Sequence, residues 1–297
     1  MRKTLITLTA LTAGALLVAG CSSGSSGSSA SPTTSATSST PALPTASGKV
    51  QVLYAASLAN LMEHDLGPSY QTASGLTFEG TAAGSTALVS DIKGKIKPAD
   101  VFVSASTDAN TGLMGAANGN WESWYATFAT SPLLIGYNPK SKFVNDLKTK
   151  PWQQVITEPG FLMGSTDPKL DPKGKLAATA LSDVNLPTSA VQVYPEEQLA
   201  GRLQAGQLDA GFFYSSEAAD LKIPTISLGS IKLQATYTVS ALNNAPNSAG
   251  GVNFVDYLLG QSGLALMKKH GLQLQTVKVT GDSSSVPTPL DTELGVK

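Results

Sequence analysis

The sequence has few of the residues that carry enzyme chemistry. It contains one cysteine, Cys21, and two histidines, His64 and His270, in 297 residues. Neither histidine has a second metal-ligating residue three or four positions away, the spacing that places two ligands on one helix face. The phosphate-binding loop G-x-x-x-x-G-K-[ST] and the zinc motif H-E-x-x-H are absent as well. The sequence therefore predicts a protein that is not an enzyme and has no cofactor, with His270 an ordinary helix end before Gly271.

Charge is also scarce. Asp, Glu, Lys and Arg make up 14% of the chain, and 20 basic residues nearly balance 21 acidic ones. No basic stripe appears, which excludes a nucleic acid or an anionic membrane surface as an electrostatic partner. If the ligand is an anion, local groups have to bind it.

The N-terminal segment has the pattern of a lipoprotein signal peptide. Arg2 and Lys3 precede an apolar run that ends in Val18-Ala-Gly-Cys21, and this run is short for a membrane span. We expect residues 1–20 to be removed, Cys21 to be lipidated, and the mature chain to be extracytoplasmic and anchored to the cell membrane. Residues 21–48 are rich in Ser, Thr, Gly, Ala and Pro and predict a disordered linker. With a single cysteine there is no internal disulfide.

The rest of the chain alternates short strand-like and helix-like runs, which predicts an open α/β sheet. Residues 50–55, 76–78 and 99–104 are expected to be strands, with helices after the first two. A second set follows, with strands at 132–137, 192–194, 210–214, 225–228 and 232–242 and helices at 174–181, 195–204, 251–259 and 263–270.

Hydroxyl residues and Pro-led helix starts mark where an anion would bind. Ser57 and Ser85 each lie between a strand and a helix, where free N–H groups and the positive end of the helix dipole collect. Each one alone is also a common N-cap. Together they would open on the same carboxyl edge of the sheet, where open α/β sheets bind ligands.

Three further places in the second set of elements are expected to supply donors. Asp171-Pro172 predicts a helix whose Lys173 and Gly174 N–H groups are unpaired, and Pro195 predicts another helix start beside Glu196. Tyr214 ends a strand and adds a phenolic hydroxyl. Such neutral donors in a closed cleft hold a dianion without a counter-charge.

These segments resemble the periplasmic molybdate-binding proteins. The resemblance lies in Val52-Leu-Tyr-Ala-Ala-Ser-Leu58, Ala83-Gly-Ser-Thr-Ala-Leu88, Pro98-Ala-Asp-Val-Phe-Val-Ser104 and Asp209-Ala-Gly-Phe-Phe-Tyr214, and Thr166–Gly174 is similar to the archaeal molybdate/tungstate branch. It implies a two-lobed, type II-like periplasmic-binding-protein fold with two crossing segments. Lobe one would comprise 49–130 plus 233–277, lobe two 131–232, and a C-terminal tail 278–297.

The resemblance also implies the ligand set. Molybdate or tungstate would be held by the side chains of Ser57, Ser85 and Tyr214 and the backbone N–H groups of Lys173 and Glu196, with Asp171 and Thr86 as secondary candidates. The archaeal branch has a Glu before the Tyr of the strand motif, where this chain has Phe213. Asp171 would then act alone, so we expect a tetrahedral, hydrogen-bonded oxyanion.

The function implied is that of a monomeric substrate-binding lipoprotein that delivers an oxyanion to the permease and ATPase subunits of an ABC importer. Sulfate or phosphate remains an alternative, since N–H donors do not encode anion radius and Asp171 or Asp100 would accept from a protonated phosphate. An extracytoplasmic sensor with the same fold is another. Ferric binding is disfavoured because only Tyr214 is suitably placed.

Overall fold

The computed structural model describes residues 42–296. The predicted signal peptide, the lipidation site Cys21 and the linker up to residue 41 lie outside the described residues. Within residues 42–296, no helix combines the length and apolarity needed to cross a membrane.

Ten strands and twelve α-helices are found between residues 42 and 296. The strands are β1 (Lys49–Ala55), β2 (Thr77–Ala83), β3 (Val101–Ser104), β4 (Trp124–Tyr137), β5 (Met163–Thr166), β6 (Gln192–Tyr194), β7 (Ala210–Tyr214), β8 (Thr225–Ile226), β9 (Gln234–Ala241) and β10 (Gln273–Gly281). The helices are α1 (Ala59–Leu61), α2 (Gly67–Ser74), α3 (Ser85–Lys93), α4 (Thr107–Thr111), α5 (Val144–Thr149), α6 (Trp152–Val155), α7 (Pro172–Asp183), α8 (Glu196–Gln204), α9 (Ser215–Asp220), α10 (Ser248–Leu259), α11 (Gln261–Lys269) and α12 (Asp291–Leu294).

The strands form one path, β2-β1-β3-β9-β4-β7-β5-β6, with β8 and β10 also paired to β4. The β1–β2, β1–β3, β5–β6 and β5–β7 pairs are parallel, and the pairs that involve β4 or β9 are antiparallel. The parallel pairs thus form two groups, one on each side of β4. We call β1, β2, β3, β9 and β10 the first half, and β5 to β8 the second half.

Strand β4 belongs to both halves. Its residues up to Pro132 pair with β9, and from Leu133 onward it pairs with β7. At this change of partner the Leu133 N–H donates to the Leu233 carbonyl at 2.8 Å, where the chain returns to enter β9. Two segments therefore cross between the halves side by side, and the predicted α/β fold with two crossing segments is confirmed.

The first helical segment follows β1 directly and packs against one side of it. A 3₁₀ turn (Ala56–Leu58), α1, a π turn (Met62–Leu66) and α2 run without a break, and Leu58, Leu61, Leu66 and Tyr70 are buried. Each large apolar side chain buried in this way contributes about 1.5–3 kcal/mol. Asp65 lies within the π turn and is partly exposed, and π turns often lie at functional sites.

Both ends of the described chain pack against the first half. Residues 42–48 belong to the segment predicted as a disordered linker, yet the Asn253 side chain donates to the Pro44 carbonyl at 2.9 Å and Asn247 donates to the Ser47 carbonyl at 3.0 Å. The segment 278–297, named a tail above, includes the end of β10 and helix α12, and its Leu290 and Leu294 are buried. These hydrogen bonds and apolar contacts hold both segments on the folded unit.

Candidate functional site

Ser57 lies in the 3₁₀ turn that follows β1 and is 7% exposed. Its Oγ accepts a hydrogen bond from the Tyr237 hydroxyl at 3.2 Å. Since a hydroxyl both accepts and donates, this contact leaves the hydrogen of Ser57 available to an acceptor.

Ser85 is the first residue of α3 and is completely buried. Its Oγ accepts from the Ala105 N–H at 3.1 Å, so its hydroxyl hydrogen is available as well. The first N–H groups of α3 have no acceptor within the helix. One of them, that of Ala87, donates at 3.0 Å to the carbonyl of Leu170, which belongs to the second half.

The two halves touch at Gly84, the N-cap of α3. A Cβ at this position would lie 2.5 Å from the Leu170 carbonyl oxygen and 3.0 Å from the Asp171 Cβ. Only glycine permits this approach, because the atom nearest to it is backbone and cannot move aside as a flexible side chain would. The structure is therefore a closed one at this edge.

Tyr214 ends β7 and is completely buried. Among the described residues its hydroxyl has no hydrogen-bond partner. Its ring lies edge-on to Tyr237 with centroids 6.3 Å apart, and Tyr237 in turn donates to Ser57. Burial raises the pKa of Tyr214 well above its usual value, so the phenol keeps its hydrogen and acts as a donor.

A buried cluster of charged groups lies beside these hydroxyls. The Lys173 ammonium is fully buried, lies 2.8 Å from Glu217 Oε2 and 3.2 Å from Glu196 Oε1, and is 5.5 Å from the centre of the Tyr214 ring. Burial lowers the pKa of Lys173, but the negative charges of Glu217, Glu196 and Asp171 outweigh it and raise the pKa. The lysine is therefore a permanent cation.

Two of the three acids of this cluster are held back from ionisation. Burial raises the pKa of Glu196 to about 8, with the Asp171 charge as the next cause, and burial also raises the pKa of Asp171 against the opposing effect of Lys173. Both Glu196 oxygens and Asp171 Oδ2 lack a hydrogen bond of normal geometry within the described chain. Both shifts favour the protonated form, in which a carboxyl is an O–H donor.

The second-half helix starts differ from the prediction in one respect. The Lys173 N–H was expected to be unpaired, but the side chain of Asp171 caps α7 and its Oδ1 accepts from that N–H at 3.0 Å. The Asp171 side chain thus accepts from the Lys173 N–H group, which was expected to be free for a ligand. Helix α8 has no side-chain cap and begins at Glu196, whose N–H has no acceptor within the helix.

The cavities show which predicted residues come together. One of about 180 Å³ is lined by Ser57 together with Glu196 and Glu217, and one of about 410 Å³ is lined by Gly84, Asp171 and Glu196. The side chain of Thr86 is exposed and lines a cavity of about 300 Å³ that Asp171 also lines. Glu196 and Asp171, from the second half, thus face Ser57 and Gly84 from the first.

The sequence of the chain matches a known protein family. Residues 50–273 match the model of the bacterial extracellular solute-binding proteins. The chain belongs to this family.

Several proteins similar to this solute-binding protein have names that describe solute binding or molybdate binding. An uncharacterized solute-binding protein of Petrotoga mobilis is 27% identical over 64% of this chain and 72% of its own. The molybdate/tungstate-binding protein WtpA of Pyrococcus abyssi is 23% identical over 66% of this chain and 74% of its own. Among solved structures, the periplasmic molybdate-binding protein of Azotobacter vinelandii superposes with a TM-score of 0.64 at 17% identity, over 76% of this chain and 99% of that one, which shows a shared fold.

Sequence reasoning missed much of the charged cluster of this solute-binding protein. It named Lys173 and Glu196 for their backbone N–H groups alone, and it left Asp171 without a second carboxylate. Glu217 and Tyr237 were not considered. Glu217 stands three residues after Tyr214, and its side chain accepts from the Tyr214 N–H at 3.3 Å, a contact that marks a helix start but says nothing about Lys173.

Proposed function

We propose that this solute-binding protein captures a tetrahedral oxyanion, molybdate or tungstate, between its two halves. The donors are the hydroxyls of Ser57, Ser85 and Tyr214 and the free N–H groups at the starts of α3 and α8. The observation that carries the proposal is that these three buried hydroxyls each keep a hydrogen that no described residue accepts. Oxyanion oxygens are acceptors only, so such a set of donors matches them.

The charged cluster supports the binding of a dianion. If all its carboxyls were ionised, three acids would face one lysine and repel the ligand. The raised pKa values of Asp171 and Glu196 favour their protonated forms, which reduces this repulsion and adds O–H donors from the second half. The names of the Pyrococcus and Azotobacter relatives favour molybdate or tungstate over other oxyanions of the same shape.

A protonated anion such as hydrogen phosphate is the second candidate. Asp171 Oδ2 and the Glu196 oxygens are buried and have no hydrogen bond of normal geometry within the described chain. When ionised, they accept a hydrogen bond from a ligand hydroxyl, which molybdate and sulfate at neutral pH do not offer.

Calorimetric titration with molybdate, tungstate, sulfate and phosphate in one buffer separates these candidates. We expect 1:1 binding of molybdate or tungstate that is at least tenfold tighter than that of the other two. Tighter binding of phosphate would replace the proposal with the second candidate, and no binding of any of the four would remove both.

Two substitutions test the site itself. Ser85→Ala and Tyr214→Phe each remove a donor to a charged group, and each should weaken binding by about 1–3 kcal/mol. The matched controls are Ser90→Ala on the exposed side of α3 and Tyr257→Phe, whose hydroxyl contacts Ser69. Unchanged affinity in both test variants would show that the cleft is placed wrongly.

The proposed setting is the outer face of the cell membrane, where the lipidated Cys21 anchors the chain and the closed form passes its ligand to an ABC permease driven by its ATPase. Cys21→Ala should release the protein from the membrane fraction of cells. Retention of the variant in that fraction would contradict lipid anchoring.

A further inference from the structure

His270 lies between two carboxylates from different parts of the chain. It is the C-cap of α11 and is 5% exposed. Its Nδ1 is 2.6 Å from Asp220 Oδ2, and its Nε2 is 2.6 Å from Asp65 Oδ2. Asp220 lines the cavity of about 180 Å³ beside Ser57, Glu196 and Glu217, but none of the three residues is among the proposed ligand donors.

The two carboxylates belong to opposite halves. Asp65 lies in the π turn of the first helical segment, and His270 ends a helix that leads into β10, so both belong to the first half. Asp220 ends α9, which continues directly from β7 and Tyr214 in the second half. Helix α9 is also fixed at its start, because the Ser216 N–H donates at 3.0 Å to Ser131 Oγ, next to the point where β4 changes partners. His270 therefore connects the far end of α9 to the other half.

This geometry needs a protonated ring. A neutral imidazole has one N–H, and its other nitrogen carries a lone pair. With a carboxylate oxygen 2.6 Å from each nitrogen, the neutral form would hold one lone pair against an anion. An imidazolium donates to both carboxylates, and these charge-assisted hydrogen bonds are the stronger kind.

Few other charges influence the ring. Among the described residues, the groups facing it are Asp65 from the π turn, Asp220 from α9 and Lys269 from its own helix, and the Lys269 ammonium pairs with Asp65 at 2.9 Å. Asp65 keeps this cation when the ring loses its proton, whereas Asp220 has no other partner of opposite charge. Deprotonation thus releases the contact that joins the halves.

We propose that His270 is a positioning residue whose protonated ring clasps the two halves by donating to Asp65 and Asp220 together. The clasp is lost when the ring or the Asp220 carboxylate loses its charge. Because α9 follows Tyr214 and carries Glu217, release of the clasp frees one wall of the ligand site to move. Its effect on ligand affinity rests on the proposed function, but its effect on closure does not.

Closure is measured first, without ligand. Spin labels at Ser90→Cys on α3 and Thr179→Cys on α7, both exposed, in a Cys21→Ser background report the distance between the halves. We expect a short distance distribution at pH 5.5 in the otherwise unchanged protein. This pH lies below the pKa of Glu196, about 8, so that carboxyl stays largely protonated.

Variants assign the effect to the clasp. Asp220→Asn and His270→Gln should each shift the distance distribution to longer values than in the parent. Two controls should behave like the parent: His64→Gln removes the other, exposed histidine, and Asp108→Asn removes the exposed ion pair of Asp108 with Lys175, which also joins the halves. Parent-like distances in Asp220→Asn and His270→Gln would overturn the proposal.

Affinity is measured second, by titration with molybdate at the same pH. His270→Gln should bind more weakly than the parent, on the order of tenfold. If the distances respond as expected and no molybdate binds, the clasp stands and the proposed function fails. If molybdate binds His270→Gln and the parent with equal affinity, the clasp has no part in ligand capture.

Discussion

Substitution of Gly84 by alanine is the sharpest test of how the halves close. The added Cβ would lie 2.5 Å from the Leu170 carbonyl oxygen, while the φ of −58° and ψ of 134° at this position suit any residue. The variant therefore acts through this steric contact and not through backbone strain.

The size of the effect follows from the contacts. To bring the Cβ beyond 3.0 Å, the halves have to separate by at least about 0.5 Å, which stretches the Ala87–Leu170 hydrogen bond from 3.0 Å. A hydrogen bond to a charged group contributes about 1.5–3 kcal/mol, and loosening one or two of them around the ligand should weaken binding roughly 10- to 100-fold. The stability of the ligand-free protein should hardly change, because the strain is relieved by opening.

Calorimetric titration and thermal unfolding without ligand measure both quantities. The control is Gly201→Ala in α8, where no atom lies within 4 Å of the added Cβ and the helix should gain up to about 1 kcal/mol. Parent-like affinity in Gly84→Ala would show that ligand binding does not require the closed contact at Leu170. A large loss of ligand-free stability would show that the halves do not open to relieve the clash.

Further substitutions test the buried charges and the C-terminal segment. Lys173→Met leaves Glu217 buried without its cation and should lower the free energy of unfolding in urea by about 3–5 kcal/mol. Lys175→Met at the surface should leave this free energy nearly unchanged, and equal losses of stability in the two variants would contradict the buried pair. Burial raises the pKa of Glu122 to about 8, so ionisation of this carboxyl should reduce stability by about 1.4 kcal/mol per pH unit between pH 4.5 and 8. Glu122→Gln should remove that part of the slope, and an unchanged slope in pH-dependent urea unfolding would refute the assignment. Leu294→Ala in α12 should cost about 2–5 kcal/mol in the same assay, and a loss below 1 kcal/mol would mean that this segment is not part of the core.

Local patterns were enough to place the strands and helix starts that carry the hydroxyls. The alternation in Val50–Ala55 and the run Ala210–Tyr214 predict β1 and β7, and Asp171-Pro172 predicts the start of α7. These features depend on neighbouring residues alone, so they can be read without knowledge of the fold.

Other elements were hidden because they depend on partners distant in sequence. Strand β4 was predicted from Pro132 onward, since proline often begins a strand, but it starts at Trp124 and Pro132 marks a change of partner. Strand β5 was missed, because Met-Gly-Ser-Thr has the composition of a turn. The charged cluster was missed because Lys173 and Glu217 are 44 residues apart and meet only in the folded chain.

The change of partner in β4 gives the whole molecule a simple topological description. Pro132 and Gln234 face each other at the last register position of the antiparallel pair β4–β9. The pair therefore resembles a β-hairpin in which the second half is inserted in place of the turn. Closing a turn of roughly 100 unstructured residues costs about 4 kcal/mol of chain entropy beyond a constant term. A second half that is already folded holds its two ends at Leu133 and Leu233 together and removes most of this cost. We therefore expect the inserted segment to fold before the strands that flank it, with the N-terminal strands β1 to β3 waiting for β9 to complete their sheet.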